Sequence, residues 1–492
     1  MQEPMLLWWG GIEQLMKFLK YLLPVSQHNR ISDHVGAVLW ALKSIEHFEY
    51  YGYSFYTQLR RLVNMKILLV ASVLLSSVVG RQLQHQLALE EDCHVSRISA
   101  FDSLVSGSVP FSEQANPLYP HFQSLNATTG EQWEFDAVSV DGTAGVLIAF
   151  YRDPEFSFLG PGNLRINIDV AFSDGNTASL VDYAEQSVVE ACPDIVTGTW
   201  VRAGAAYQFR IATDSSWASV TLDAPSVNGT IDLKNMAKPR TAGGSIWSLS
   251  GERDPTNHST ISGMRWMEPM PAAHSSASLT AKGLGLSIVD GIGGAERIWQ
   301  SRTWFDMLQG YTFFRAVVGP YTMSYWSSIC KDDGVEVGNV MLWREGQPIF
   351  ASSNRAESAR QKGIDGDFFV YQPTYSGTVR SSVGDHTPTG YNLRIVSLSR
   401  GTQWTFRLEH KRVLFEFNLG RGAGGSAFMG PASGGEKGRE QFEGTFLNEA
   451  VDLSTLWIPA WVSSALWAFH YAWACATRNA RHFLDMVVAY RM

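Results

Sequence analysis

Residues 164–175 read LRINIDVAFSDG: Leu164, Ile166, Ile168 and Val170 alternate with Arg165, Asn167 and Asp169, and the run ends at Asp174-Gly175. A period of two sends alternate side chains to opposite faces of a strand, a spacing that no helix can use. The pattern recurs with turns at short intervals. YQFRIATDSSWASVTLDAP (207–225) reads as two strands hinged on Asp214-Ser215. VEVGNVMLWREGQPIFASS (335–353) is a hairpin turning on Glu345-Gly346, and YNLRIVSLSRGTQWTFRLEHKRVLFEFNLG (391–420) adds strands joined at Arg400-Gly401. Short strands punctuated by Gly, Asp and Asn predict an all-β chain built as sandwiches or barrels.

A chain of 492 residues is too long for one ordinary domain. Hydrophobic periodicity lapses between 237 and 272, where Pro, Gly, Ser and Thr accumulate. The lapse predicts an N-terminal β-domain at 93–262 and a C-terminal β-barrel at 263–452. LGRGAGGSAFMGPASGGEKG (419–438) reads as a long flexible loop late in the second domain. Lys+Arg of 39 against Asp+Glu of 47 gives −8, so no basic surplus exists to neutralise phosphates. That argues against a nucleic-acid partner.

MKILLVASVLLSSVVG, from Met65, has the layout of a secretory signal peptide but follows 64 other residues. Its apolar run is shorter than the ~20 residues of a membrane span. Met65 is therefore the expected initiator, with 65–80 as the signal-like segment and 1–64 as an extension without assigned chemistry. Secretion or passage through the secretory pathway follows as an expectation. Sequons at Asn126, Asn228 and Asn257 agree with it. Of the four cysteines, Cys93, Cys192, Cys330 and Cys475, none forms a CxxC pair. Cys93 and Cys192 lie in the same half of the chain and are the disulfide candidates. From Leu453 to Thr477 there is no Asp, Glu, Lys or Arg, and a basic flank follows. The tail 453–492 thus reads either as a membrane contact through 453–477 or as a misannotated end; His470, Pro459 and several serines make it a poor span.

The stretch DGIGGAERIW (290–299) combines three glycines with an adjacent acid and base. A dinucleotide fingerprint would need a third glycine where Glu296 stands, and a following helix. Strand-like sequence flanks it on both sides, so it reads as a tight β-connection at a barrel rim. No GxSxG elbow is present, and the core histidines form no HxH or HExxH cluster. The seventeen tryptophans fit an apolar site as well as core filling.

The block from 293 to 350, GGAERIWQSRTWFDM…FRAVVGPYTMSYWSSICKDDG…VMLWREGQPIF, resembles the fungal Diels–Alderases, as do the lead into SLTAKG and the pieces EQWEFDAVSVDG, LIAFYRDPEF and GTW (198–200). The likeness spans roughly 95–450. It implies an N-terminal β-sandwich-like domain packed on a C-terminal lipocalin-like barrel. It also implies a cofactor-independent pericyclase acting on a small hydrophobic polyene, a polyketide–amino-acid intermediate; the signal-like segment points toward the cytochalasan branch. A [4+2] cycloaddition needs no nucleophile or metal. It needs a fold that orders diene and dienophile, worth up to ~7–11 kcal/mol, and a donor aimed at the activating carbonyl.

On this reading Arg297, Tyr321 and Glu134 are the catalytic candidates. Tyr151, Trp299, Trp304, Trp326, Trp343 and Trp404 are the candidate walls. Two other readings remain open. One is a carotenoid-hydratase-like alkene hydratase using a protonated Glu134, Asp136 or Asp182. The other is a secreted lipocalin-like binder of hydrophobic metabolites.

Overall fold

The computed structural model describes residues 93–111, 116–155, 162–248, 258–357, 366–383 and 387–456, with positions 465 and 468. All fall within one compact unit, Asp92–Met492. Residues 1–64, the signal-like segment 65–80, Asn257 and nearly all of the tail 453–492 lie outside the described residues. Among the described residues, no helix is long and apolar enough to cross a membrane.

The first sheet comprises β1 (His94–Ser99), β2 (Gly130–Ser139), β3 (Gly145–Arg152), β4 (Arg165–Ala171), β5 (Thr177–Tyr183), β6 (Gln186–Ala191) and β7 (Ile195–Arg202). It continues with β8 (Ala205–Ala212), β9 (Trp217–Ala224), β10 (Val227–Asn235), β11 (Arg240–Thr241), β12 (Met264–Ala281) and β13 (Leu284–Gln300). A one-turn helix, α1 (Trp304–Met307), leads into the second sheet. That sheet holds β14 (Leu308–Val318), β15 (Tyr321–Cys330), β16 (Glu336–Arg344), β17 (Gln347–Ser352) and β18 (Phe368–Thr374). Its remaining strands are β19 (Gly390–Ser397), β20 (Thr402–Glu409), β21 (Arg412–Gly420), β22 (Ala423–Glu436) and β23 (Phe442–Asp452).

The first sheet runs β1-β6-β7-β8-β9-β10-β12-β13-β2-β3-β4-β5, with β11 on β12, and curls into a half-barrel. The second runs β17-β16-β15-β14-β23-β22-β20-β19-β18, with β21 on β22, and is a nearly closed barrel. An isolated parallel bridge between Arg355 and Phe369 draws its two edges together. The turns fall where the sequence places them: Ser215, Glu345, Gly346 and Gly401 all have positive φ, between 53° and 75°. That is the backbone hairpin turns require.

Two expectations change. The second sheet begins at Leu308, after β12 and β13, so the boundary at 262/263 falls ahead of two strands of the first sheet. Hydrophobic period lapses there because β12 is a bulged strand, its register slipping between Met267 and Ala277. The glycine-rich tract 419–438 is not a loop but the tight turn and long strand of β21–β22. A Cβ at Gly430 would collide with the Glu409 carbonyl, and one at Gly425 would meet the Phe417 ring. Those glycines let strands and rings approach.

β2 and β3 show why the sheet has two working faces. Trp133, Phe135, Val146, Ile148 and Phe150 enter the half-barrel core with Trp200 and Phe209. The intervening Val138, Leu147 and Ala149 face the barrel wall, where they meet Phe313, Trp326, Met429 and Leu447. The barrel interior is itself packed, with Tyr325, Tyr371 and Tyr391 stacked at 4.7 Å spacings.

Cys93, next to β1, is disulfide-bonded to Cys192, next to β6, across a separation of 99 residues. Closing so long a loop stabilises by about 4–5 kcal/mol in the chain-entropy account. Cys93→Ser is therefore expected to lower the urea midpoint markedly, and reduction of the wild-type protein should do the same. Equal midpoints would show that β1 is held by its hydrogen bonds alone.

Candidate functional site

The face of the first sheet that meets the barrel carries charge where an apolar stripe would be expected. β2 contributes Glu134 and Asp136, β12 Glu268, β13 Glu296, and β23, across the interface, Glu449; all five carboxyls are buried. Among the described residues, two guanidiniums lie at ion-pair distance from them, Arg240 on β11 and Arg315 on β14. Glu134 and Glu296 stand directly opposite in the β2–β13 register. Two like charges in that position repel, and burial makes the repulsion worse.

Arg315 answers part of that charge. Its Nη2 donates to Glu296 Oε1 at 3.0 Å, its Nη1 lies 3.3 Å from Asp136 Oδ2, and Nη1 also donates to the Met270 carbonyl at 3.0 Å. Glu268 is 3.6 Å from Arg315 and 3.5 Å from Arg240. The guanidinium fits because residue 294 is glycine: a Cβ there would occupy its place. DGIGGAERIW is thus not a turn at a barrel rim but the middle of β13, and Gly294 is a notch. Gly293 serves the other side, where a Cβ would strike the Asp136 carbonyl.

Around the carboxyls stands an aromatic wall. Trp266 and Trp326 stack at 4.8 Å, and Tyr311 stacks on Trp326 at 5.0 Å. Trp266 Nε1 donates to Glu296 Oε2 at 2.9 Å, Tyr311 OH to Glu449 Oε2 at 3.1 Å, and Gln132 Nε2 to Glu134 Oε2 at 2.6 Å. The Trp326 indole N–H has no hydrogen-bond partner although the side chain is buried.

Five carboxyls against two arginines cannot all ionise in such surroundings. Burial, with repulsion from Glu296, pushes Glu449 up to about 8. Burial and then the neighbouring Glu449 and Glu296 hold Glu134 well above the usual carboxylate range. Asp136 and Glu268 are each raised to about 7 by burial, with Arg315 pulling both back. Burial raises Glu296 too, against Arg315 and the Trp266 N–H. Glu134 and Glu449, which no guanidinium pairs among the described residues, are held as neutral carboxylic acids, each able to donate a hydrogen bond.

Glu134, Glu296 and Glu449 bring ligand oxygens within 4.8 Å of one another, the one such group among the described residues. Both Glu296 oxygens already accept from Arg315 and Trp266. The donor set therefore suits protons better than a cation.

Of the sequence candidates, Glu134, Tyr151, Trp304 and Trp326 reach this interface. Arg297 does not: it lies on the opposite face of β13, over the Trp133 ring at 3.7 Å and ion-paired with Glu131. It follows Glu296 by one residue, and the period of two separates them. Trp299 shares that side, stacked on His121 at 4.3 Å. Tyr321 and Trp404 are in the barrel interior, against Phe406 and Phe350 respectively, because β15 and β20 turn those positions inward. Trp343 packs with Ala237, Met341 and Ile246. Asp182, a hydratase candidate, accepts from Arg202 and Tyr207 outside the cluster and is held below the usual range. The Asn126 amide is consumed by the Gly107 carbonyl and the backbone of Thr128 and Thr129, whereas Asn228 is exposed.

Of the site residues the sequence reading missed, Arg315 and Glu449 carried a signal: FFRAVV (313–318) and FLNEAV (446–451) each place one charge in a mostly apolar run. In a buried strand such a charge must have a partner. An open groove of about 710 Å³ on the barrel, lined among others by Arg394, Arg407 and Glu443, shares no residue with this cluster.

Comparison with known proteins gives consistent findings. The family model described as Diels-Alderase-like matches residues 90–454. The Diels-Alderase phmD of Phaeosphaeria nodorum is 36% identical over 342 residues, which cover 68% of this chain and 91% of the relative. The Diels-Alderase ffsF of Aspergillus flavipes is 36% identical over 377 residues, 75% of this chain and 88% of the relative. The crystal structure of CghA with Sch210972 superposes with a TM-score of 0.64 at 24% identity, covering 73% of this chain and 99% of that one. At that identity the likeness speaks for the fold.

Two outcomes are expected. Unfolded glutamates release protons near ~4.3, whereas folded Glu449 keeps its proton to about 8. Between those values the unfolded state binds fewer protons, so stability falls as pH rises from about 5 to about 8. The slope is up to about 1.4 kcal/mol per pH unit for each such group. Glu449→Gln should flatten that slope in urea unfolding at a series of pH values; a flat wild-type profile would contradict it. Arg297→Met removes one of the two arginines paired with Glu131 and leaves Arg152; it should cost about 3–5 kcal/mol of stability. Lost activity at unchanged stability would instead place Arg297 in the site.

Proposed function

The chain belongs to the Diels-Alderase-like family, pericyclases of fungal secondary metabolism, and on that premise we propose that a [4+2] cycloaddition takes place where the first sheet meets the barrel. The observation that carries this reading is the pair of proton-holding carboxyls, Glu134 and Glu449, set against the Trp266–Trp326–Tyr311 wall.

The chemistry follows from what these groups offer. A cycloaddition moves electrons around a ring and requires no proton transfer, so the acid's task is to donate a hydrogen bond. A neutral carboxylic acid aimed at the carbonyl conjugated to the dienophile stabilises the charge that builds there. One such preorganised donor is worth about 3–4 kcal/mol in the best-studied oxyanion sites. The indole and phenol faces offer flat apolar surface against which a polyene is held in one folded shape, removing the entropy of finding it. Burial keeps water from competing for the donor.

The substrate we infer is a polyene-bearing polyketide–amino-acid intermediate. The signal-like segment at 65–80 supports the cytochalasan branch and, with it, the secretory pathway. A second reading, acid-catalysed hydration of an alkene, is favoured by one observation, the neutral Glu134 carboxyl beside an aromatic wall. Product mass separates the two: cycloaddition leaves it unchanged and closes a ring, whereas hydration adds one water.

With purified protein and the linear polyene, the rate of ring closure is expected to fall as pH rises past about 8, following the Glu449 proton. Glu134→Gln and Glu449→Gln, which keep a weaker donor, should each lower the rate about tenfold at neutral pH. Tyr321→Phe, a barrel-core change, should leave it unaltered. Full rates in both glutamine variants would remove the carboxyl donors from the mechanism.

A further inference from the structure

The carboxyls of this site are not equivalent, and the difference lies in which of them the barrel touches. Glu296 has both oxygens engaged, by Arg315 and by the Trp266 indole. Asp136 and Glu268 also lie within ion-pair distance of Arg315. Glu134 and Glu449 have no ion-pair partner among the described residues. Their carboxyl oxygens lie within 4.8 Å of each other and of Glu296, so the charge of any one disfavours ionisation of the other two. Their other partners are neutral, Gln132 for Glu134 and Tyr311 for Glu449.

We propose that Arg315 is the positioning residue of this site: seated in the Gly294 notch, it holds Glu296 as the anion and so leaves the protons on Glu134 and Glu449. This rests on the cycloaddition reading for its catalytic meaning, though not for the placement of the protons. Arg315 takes no part in the donation itself. It acts through Glu296, whose negative charge within 4.8 Å of both donors disfavours their ionisation. The titratable and charged groups around the Glu134–Glu449 pair are Asp136 beside Glu134 on β2, Tyr151 on β3 with Arg165 of β4 over its ring, Glu296 on β13 and Tyr311 on β14. Arg315 on β14, Arg240 on β11 and Glu268 on β12 stand around Glu296 in turn. Among the positive charges of this set, Arg315 alone reaches Glu296 as an ion pair.

The geometry also explains the glycine. Arg315 extends from the barrel across the interface, and it can rest on β13 only opposite Asp136, where Gly294 provides no side chain. Any other residue at 294 would displace the guanidinium, and Glu296 would then meet its charge by taking up a proton.

The sign of the effect follows from which charge acts on the pair: Glu296 faces both Glu134 and Glu449, whereas Arg315 pairs with Asp136, Glu268 and Glu296. Removing the cation lets Glu296 become neutral, the repulsion on Glu134 and Glu449 is relieved, and the pair ionises at lower pH. In Arg315→Gln the alkaline limb of the cycloaddition rate should move down by about one pH unit, a tenfold change in proton affinity. Arg315→Lys, which keeps a charge at the notch, should restore the limb. Glu296→Gln mimics the neutral carboxyl without touching Arg315. It should shift the limb in the same direction, which keeps the test decisive if Arg315→Gln does not fold.

A readout independent of turnover is the infrared carbonyl stretch of protonated carboxyls, assigned by its loss in Glu134→Gln and Glu449→Gln. It should persist to higher pH in the wild-type protein than in Glu296→Gln. An unmoved limb and an unmoved band in folded Arg315→Gln or Glu296→Gln would overturn the proposal. A band that moves as expected in a protein without cycloaddition activity would uphold the proton placement and remove the cycloaddition reading instead.

Discussion

One guanidinium joins the two halves of this protein's chemistry. Arg315 leaves the barrel wall and enters a region where the first sheet presents acids, touching Asp136, Glu268 and Glu296 from a single position. Without it the buried face would carry five carboxyls and only Arg240 to offset them. In a dry interface the cost of an unpaired charge is several kcal/mol, so the groups neutralise instead. The glycine notch in β13 follows from where that side chain sits, whereas the carboxyls are raised by burial, which Arg315 opposes at Asp136, Glu268 and Glu296.

The β-architecture makes such an arrangement possible. On β2 the odd positions Trp133, Phe135 and Ala137 build an apolar core, while the even positions Gln132, Glu134 and Asp136 face the barrel. One strand therefore supplies stability from one face and reactivity from the other. The barrel contributes in the same way: Phe314 and Ala316 point into its packed interior, and Phe313 and Arg315 point out to the interface. Because aromatic rings occupy the barrel's inside, the polar groups gather on its outer wall. A site placed between two rigid β-bodies holds its donors on strands, where they are more precisely fixed than on loops.

The expected walls divide on the same principle. Trp304 and Trp326 belong to the interface, whereas Trp299 is stacked on His121 beyond β13 and Trp404 is enclosed in the barrel. Tryptophan content alone did not distinguish them, since each lies in a strand-rich segment and each is buried. The charged pair Glu296–Arg297 is the sharpest instance. Its neighbours in sequence are on opposite faces, one in the site and the other bound to Glu131 in the half-barrel core.

Local sequence was sufficient for the strands, the hairpin turns at Asp214-Ser215, Glu345-Gly346 and Arg400-Gly401, and the all-β class, because period two and positive φ are properties of a few adjacent residues. The family likeness was legible as well, from ordered pieces along both sheets. The boundary between the sheets was not, since a bulged β12 loses its period without ceasing to be a strand. Nor was the site. Glu134, Glu296, Arg315 and Glu449 are separated by up to 315 residues and meet only because β13 pairs with β2 while β14 pairs with β23 and the two sheets face each other. Which carboxyl keeps a proton depends on distances between strands remote in the chain, and electrostatic energy in a buried interface is set by those distances, not by neighbours in sequence.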